Sequence, residues 1–230
     1  MPFIRAGFRF MTAIRYTGDM PEVALTAFAN FLITIDPVGV VPFFLALTAG
    51  LAPAARRRAA IKSVLTAAVI LLVFTFIGQP MLHYLGVTLP AFRIAGGALL
   101  FLLAVDMVVA KEGGIRAPTP KEEEDASHRP DVAVFPLAIP LIAGPGAIAS
   151  TILLQAQNAG NMAAQAVTVA VMIGVLMLSA ISFFLAAPIV SLLGLTGVNV
   201  LTRVLGIILA AIAVNNIVEG LRASFPALGA

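Results

Sequence analysis

The stretch ITIDPVGVVPFF, Ile33 to Phe44, sets an acid, two prolines and a glycine within the seven residues 36–42 of an otherwise apolar run, Val23 to Thr48. Proline inside a helix removes a backbone hydrogen bond and clashes with the preceding turn. The residue before it avoids the α region. The run therefore reads as a helix that stops at Asp36 and restarts. In the restarted half, Asp36 is the expected N-cap and Pro37 the first helical residue, where each residue type is favoured. The Asp36 carboxylate would accept from the N–H of Val38 or Gly39 and face the positive end of the helix dipole.

The rest of the chain explains why such a break matters. Of its 230 residues 60% are hydrophobic and 11% charged, with a mean hydropathy of +1.05. Soluble domains carry about 25% charged residues, so the composition is that of an integral membrane protein. Windows of about 20 apolar residues span a bilayer. Six such windows are expected: Val23–Thr48, Ile61–Tyr84, Ala91–Ala110, Val132–Gln155, Ala163–Ala187 and Val200–Val218. Period-two alternation is absent, which favours helices over a barrel. Tryptophan is missing and there are two tyrosines, so span ends are placed from charges and turn residues.

Several function classes are excluded by what the sequence lacks. With no cysteine there is no disulfide or thiolate chemistry. The two histidines, His83 and His128, are far apart and show no metal-ligand spacing, so neither a metal nor another cofactor is expected. No P-loop, nucleophile elbow or zinc-protease signature occurs, which speaks against an enzyme or an ATP pump. The net charge of +3 lies mostly in short loops. There it reads as an orientation signal and not as a nucleic-acid surface.

The charged segment KEGGIRAPTPKEEEDASHRPD, Lys111 to Asp131, divides the windows into two sets of three. It reads as a solvated linker between a first three-helix unit, residues 20–110, and a second, residues 132–221. Residues 222–230 form a tail. Residues 1–19 read as a disordered or interfacial leader, or as the product of a start upstream of a natural one at Met20. The two units resemble each other. Pro37 and Pro145, Pro80 and Pro188, Gly86 and Gly194, and Thr88 and Thr196 are each 108 positions apart. With two extra residues in the second unit, Arg93 falls on Arg203, Gly96 on Gly206 and Asp106 on Asn216. Three spans per unit oblige the second to enter the membrane from the opposite side. That is an inverted-topology repeat, typical of transporters that alternate access around a midplane site. Basic residues at Arg56, Arg57, Arg58 and Lys62, and at Lys111, Arg116, Lys121 and Arg129, put the first and third loops in the cytoplasm and both termini outside.

The second unit repeats the break with a different cap, in PLIAGPGAIAST, Pro140 to Thr151. Gly144 takes the cap position and Pro145 the first turn. Glycine has no side chain to accept from the N–H of Gly146 or Ala147. Unsatisfied donors in lipid cost several kcal/mol each, and a helix N-terminus with free N–H groups is an anion site. A substrate carboxylate fits there. The plainer readings are a cap alone at Asp36, and a kink or close helix contact at Gly144. Weaker polar signals within the spans are Asn30, Thr34, Ser150, Thr151, Asp106 and Asn216, any of which can serve as interhelical glue. Arg93 and Arg203 begin their helices. They either snorkel to the interface or pair with Asp106 or Asp36.

Three segments together carry a family resemblance: DPVGVVPFFLALT, RIAGGALLFLLAVDM and PLAIPLIAGPGAIAS. From about Met20 to Leu221 the chain resembles the MarC family, also called the neutral amino acid transporter family or SnatA-like exporters. The resemblance implies six helices in two inverted repeats and a prokaryotic inner membrane. It also implies export of small neutral amino acids such as alanine and glycine. Its signature falls here on Asp36, Pro37, Gly39 and Pro42, then on Gly144, Pro145 and Gly146.

The expectation is thus an all-α integral membrane protein whose first and fourth helices are broken at midmembrane. The substrate carboxylate is expected at Gly146 and Ala147, and its ammonium at Asp36 or at first-unit carbonyls freed by Pro37. Small residues at Ala143, Gly144 and Ala147 leave little room for a large side chain. Asp36 and Asp106 are the candidate proton sites if transport is coupled to protons; the oligomeric state has no sequence signal. The rival reading is a non-transporting membrane scaffold or assembly factor.

Overall fold

The computed structural model describes residues 19–109 and 132–225. Most of the expected leader, the linker 111–131 and the residues after 225 lie outside them. Every regular element among the described residues is helical. In chain order they are α1 (Met20–Ile35), α2 (Val41–Leu47), α3 (Pro53–Tyr84), α4 (Leu89–Val109), α5 (Ala133–Ile142), α6 (Pro145–Gln157), α7 (Met162–Phe184) and α8 (Ala186–Ser224).

Four of these, α3, α4, α7 and α8, are long and apolar enough to cross a bilayer, and α5 with α6 makes a bent fifth candidate. Helix α1 has 16 residues, about 24 Å at 1.5 Å per residue, short of a hydrocarbon core of about 30 Å. The outward faces are as apolar as the inward ones. On α3, Leu65, Val69 and Phe76 are well exposed while Ala60, Ala67 and Leu71 are buried. A helix that is apolar all round and not enclosed by protein needs an apolar solvent, so the chain is a membrane protein.

The expected windows and the observed helices differ at three places. The first window is two helices, because the chain turns over residues 36–40 and resumes at Val41. The lower half of the fourth window is not a regular α-helix. Phe135 and Ile139 are extended, at φ/ψ of −134°/128° and −126°/128°, inside a wide π-type segment. Each precedes a proline, Pro136 or Pro140, and that position disfavours α geometry; both X–Pro bonds are cis. The fifth and sixth windows run together, since a single residue, Leu185, separates α7 from α8. The interruption inside α8 comes instead at Gly194, with φ of 65°.

Gly194 has a counterpart 108 positions earlier. Gly86 has φ of 68° and closes α3. The N–H of Val87 donates to the Leu82 carbonyl at 2.9 Å and the N–H of Gly86 to that of His83 at 3.1 Å. This pair of bonds requires a left-handed residue, which glycine supplies without a Cβ penalty.

Helix α4 packs along α8, α1 against α7 and α6, and α3 against α5, α6 and α7. The α4–α8 seam is antiparallel and built on small residues. A β-carbon on Gly97 would lie 2.8 Å from the Ala213 carbonyl oxygen. One on Gly220 would lie 2.8 Å from that of Pro90, and one on Gly206 would lie 2.8 Å from Met107 Cβ. The short α2 is anchored by Phe44, whose ring stacks on Phe183 with centroids 4.4 Å apart and planes 12° from parallel. The end of α3, the start of α4 and the end of α6 share one pocket of about 430 Å³, lined by Gln79, His83, Thr88, Ala156 and Ala159 among others. The chain therefore finishes α3 and α6 at the same end of the molecule, whereas α4 runs away from that end toward the linker.

Candidate functional site

Asp36 ends α1 in the left-handed region, with φ of 51° and ψ of 66°. It is the one described non-glycine residue with positive φ, and aspartate tolerates that conformation better than most residues. This corrects the expectation that Asp36 would be an N-cap with Pro37 as the first helical residue. Asp36 caps the end of α1 instead, its N–H donating to the Leu32 carbonyl at 3.0 Å. Its carboxylate still serves the following turn. Oδ1 accepts from the N–H of Gly39 at 3.0 Å, one of the two donors expected. Pro42, the second proline, occupies the first turn of α2.

The other carboxylate oxygen reaches across the molecule. Oδ2 accepts from Thr202 Oγ1 of α8 at 3.4 Å. Both contacts depend on the glycine at position 39. A β-carbon there would run into Asp36 Oδ2 and lie 2.7 Å from Thr202 Oγ1. Asp36 itself is 1% exposed, so the carboxylate sits within protein and not in lipid.

At the second break α5 and α6 meet at 56°. Gly144 has φ of −78° and ψ of 174°, extended as an N-cap should be, and no side chain caps the helix. Pro145 is the first residue of α6. The Ile148 N–H donates to the Gly144 carbonyl at 3.1 Å. Neither the Gly146 nor the Ala147 N–H has an acceptor among the described residues, and both residues are buried. The sequence at position 144 is dictated by crowding and not by φ. A β-carbon there would strike the Pro140 carbonyl oxygen, so no side-chain cap can be supplied from this position without moving α5.

The second break opens on a cleft lined by Thr34 near the end of α1, by Gly144 of the break, by Pro145, Gly146 and Ala147 of α6, and by Leu99 and Leu103 of α4; Asp36, Pro37 and Gly39 of the first break do not line it. Its free volume is ≈ 10 Å³, room for about one water. One turn along α6, Ser150 Oγ is buried without a hydrogen-bond partner among the described residues.

The other expected residues fall in varied places. The Thr34 hydroxyl donates to the Asn30 carbonyl at 2.7 Å, and the Asn30 amide to the Thr26 carbonyl at 2.9 Å; Asn30 does not line the cleft. Thr151 donates to the Ala147 carbonyl at 2.8 Å and packs its oxygen 3.8 Å from Met172 sulfur, which makes it glue between α6 and α7. Asp106 is half-buried near the end of α4 and Asn216 is buried in α8; neither lines the cleft. Arg203 is exposed. Arg93 pairs with neither Asp106 nor Asp36. Its Nη1 lies 3.2 Å from Glu219 Oε2, and Asn215 donates to the other Glu219 oxygen at 3.2 Å. The α4–α8 seam brings Glu219 beside Arg93.

Sequence reading missed Thr202, Leu99, Leu103 and Glu219. Thr202 and Glu219 carried a weak signal, as polar residues in an apolar helix. The leucines carried none, because a cleft-lining leucine and a lipid-facing one look alike in sequence.

The chain matches the description "MarC family integral membrane protein" over residues 22–225. It is 36% identical over 201 residues to the UPF0056 membrane protein YvbG of Bacillus subtilis, covering 87% of this chain and 95% of that one. It is 34% identical over 211 residues to the UPF0056 membrane protein YhcE of Escherichia coli, covering 91% and 96%. A third relative, the UPF0056 membrane protein MJ1677 of Methanocaldococcus jannaschii, is 36% identical over 201 residues, covering 86% and 95%. No solved structure matches the chain.

Proposed function

The chain belongs to the MarC family of integral membrane proteins, and we propose that it is a secondary transporter, working as an exporter, of small neutral amino acids such as alanine and glycine. The observation that carries this reading is the second break. Two N–H donors at the positive end of α6, on the buried residues Gly146 and Ala147, have no acceptor among the described residues, and both residues line a cleft shared with the end of α1. A buried unpaired donor costs about 1–3 kcal/mol. A carboxylate bound there removes that cost and gains from the helix dipole. The substrate ammonium goes to Asp36 or to carbonyls released where α1 ends. The absence of a nucleophile–base set in the sequence favours transport over catalysis.

Alternating access follows from an inverted repeat, and the packing supports one. We count as spans α1 with α2, α3, α4, α5 with α6, α7 with the start of α8, and α8 beyond Gly194. Exchanging the first three with the last three turns the α1–α7 contact into α5–α3, and the α4–α6 contact into α8–α2; all four occur. The α4–α8 seam maps onto itself and is antiparallel, as a two-fold axis in the membrane plane requires. The common end shared by α3 and α6 favours a fourth element that crosses the membrane over one that re-enters and returns. The membrane is then the prokaryotic inner membrane, with the linker cytoplasmic and the C-terminus external.

The test is counterflow of labelled alanine in proteoliposomes containing the purified protein, with a panel of unlabelled amino acids as competitors. Exchange inhibited by alanine and glycine is expected. No exchange of any amino acid, by protein that remains folded, leaves the non-transporting scaffold as the reading.

A further inference from the structure

The cleft is walled on its third side by α4, and that wall carries a consequence for selectivity. Leu103 rests on the backbone of α6. A β-carbon on Gly146 would lie 2.6 Å from Leu103 Cδ2 and 3.4 Å from Leu100 Cδ2. The leucine methyl thus lies against the residue that carries one of the two N–H groups without an acceptor among the described residues. Leu99, one turn earlier on the same face, lines the cleft from its open edge and is 43% exposed. With free volume for about one water, the cleft in this state admits no amino acid. The α6 wall there is Gly144, Pro145, Gly146 and Ala147, too small and too constrained by backbone to give way. The leucines are flexible side chains and can.

We infer that Leu103 and Leu99 form the moving wall and size filter of the cleft, restricting its substrates to amino acids with the smallest side chains: glycine, alanine and serine. This rests on the transport reading above. Leu103 must leave Gly146 for a carboxylate to reach the N–H groups, and the space it yields then houses the substrate side chain. Leu103 is 4% exposed and belongs to a small apolar cluster with Ile33, Leu100, Ala104, Met107 and Leu209. Its displacement is limited by those neighbours. An apolar pocket rejects one surplus methylene by a factor of about 10–200, so valine, with two more carbons than alanine, is held out.

The experiment compares wild type, Leu103→Ala and Leu99→Ala by alanine counterflow in proteoliposomes. It reads the ratio of valine to alanine needed for half inhibition. Leu102→Ala, a change at an exposed neighbour that does not line the cleft, is the control. Wild type should prefer alanine, glycine and serine over valine by at least ~tenfold. Leu103→Ala should reduce that preference at least ~tenfold, Leu99→Ala by a smaller factor, and Leu102→Ala not at all. If Leu103→Ala does not fold, Leu103→Val and Leu99→Ala carry the same readout. A loss of packing alone lowers exchange of every amino acid and leaves the ratio where it was. An unchanged ratio in folded, exchanging variants, or a wild type that takes valine as readily as alanine, overturns the filter while transport stands. A wild type that exchanges no amino acid overturns the transport reading and the filter with it.

Discussion

Asp36 serves the fold and the candidate site at once, and its left-handed backbone lets the two be separated. Glycine adopts φ of 51° freely, asparagine tolerates it, and alanine pays about 1–2 kcal/mol. Asp36→Asn also retains an acceptor for the Gly39 N–H. We expect Asp36→Asn to stay within about 1 kcal/mol of wild-type stability, Asp36→Gly to lose about 1–3 kcal/mol with the acceptor of the Gly39 N–H, and Asp36→Ala to melt lowest. Alanine exchange should fall at least ~tenfold in all three, a loss of about 1.4 kcal/mol in the interactions that drive it. Thermal melting in detergent beside counterflow in vesicles reads both quantities. Wild-type exchange by Asp36→Asn would remove the carboxylate's charge from the mechanism. The Asp-Pro pair in the sequence was enough to locate the break. The left-handed turn was not legible, because N-cap and C-cap geometries both suit aspartate, and the choice follows from where Thr202 and Gly39 allow the carboxylate to lie.

At the scale of elements, the α4–α8 seam is built on glycines that are there for backbone approach. At Gly97 a β-carbon would meet backbone that cannot rotate away. Gly174, in α7, has open space around its missing β-carbon. Gly97→Ala should destabilise the protein by about 1–3 kcal/mol through overpacking. Gly174→Ala should be neutral or stabilising by up to ~1 kcal/mol, since alanine is the better helix former. Unfolding midpoints of the two variants in the same detergent decide this, and equal midpoints would mean that the seam is looser than its geometry implies. The sequence reading aligned Gly96 with Gly206 as repeat partners. The structure spends them differently, Gly96 against Leu153 and Ala149 of α6 and Gly206 against Met107 and Ala104 of α4.

The whole molecule is tested by its sidedness. Under the proposed inverted repeat, the loop from α2 to α3 and the loop from α6 to α7 correspond and lie on opposite faces of the membrane. Because the protein has no cysteine, single cysteines can report their side. Gly50 has open space for a side chain, and Met162 is 85% exposed. Gly50→Cys and Met162→Cys should react with a membrane-impermeant maleimide from opposite sides, Met162→Cys from outside intact cells. Labelling of both from one side would exclude the inverted arrangement, and with it alternating access about a two-fold axis.

Some of this was local and therefore legible. Apolar composition alone demands a bilayer, and proline and glycine at residues 36–42 and 144–146 interrupt helices wherever they occur, because φ restriction and a missing donor are properties of the residue itself. The same holds for the uncapped N-terminus of α6, since glycine has nothing to cap with. What only the tertiary structure decided is who approaches whom: Thr202 at Asp36, Glu219 and not an aspartate at Arg93, and Leu103 over Gly146. Apolar helices are nearly interchangeable as sequence, and their neighbours are chosen by how small-residue seams and bends fit together. A bond between residues 36 and 202, or a leucine methyl laid on a glycine across two helices, has no trace in the order of the chain.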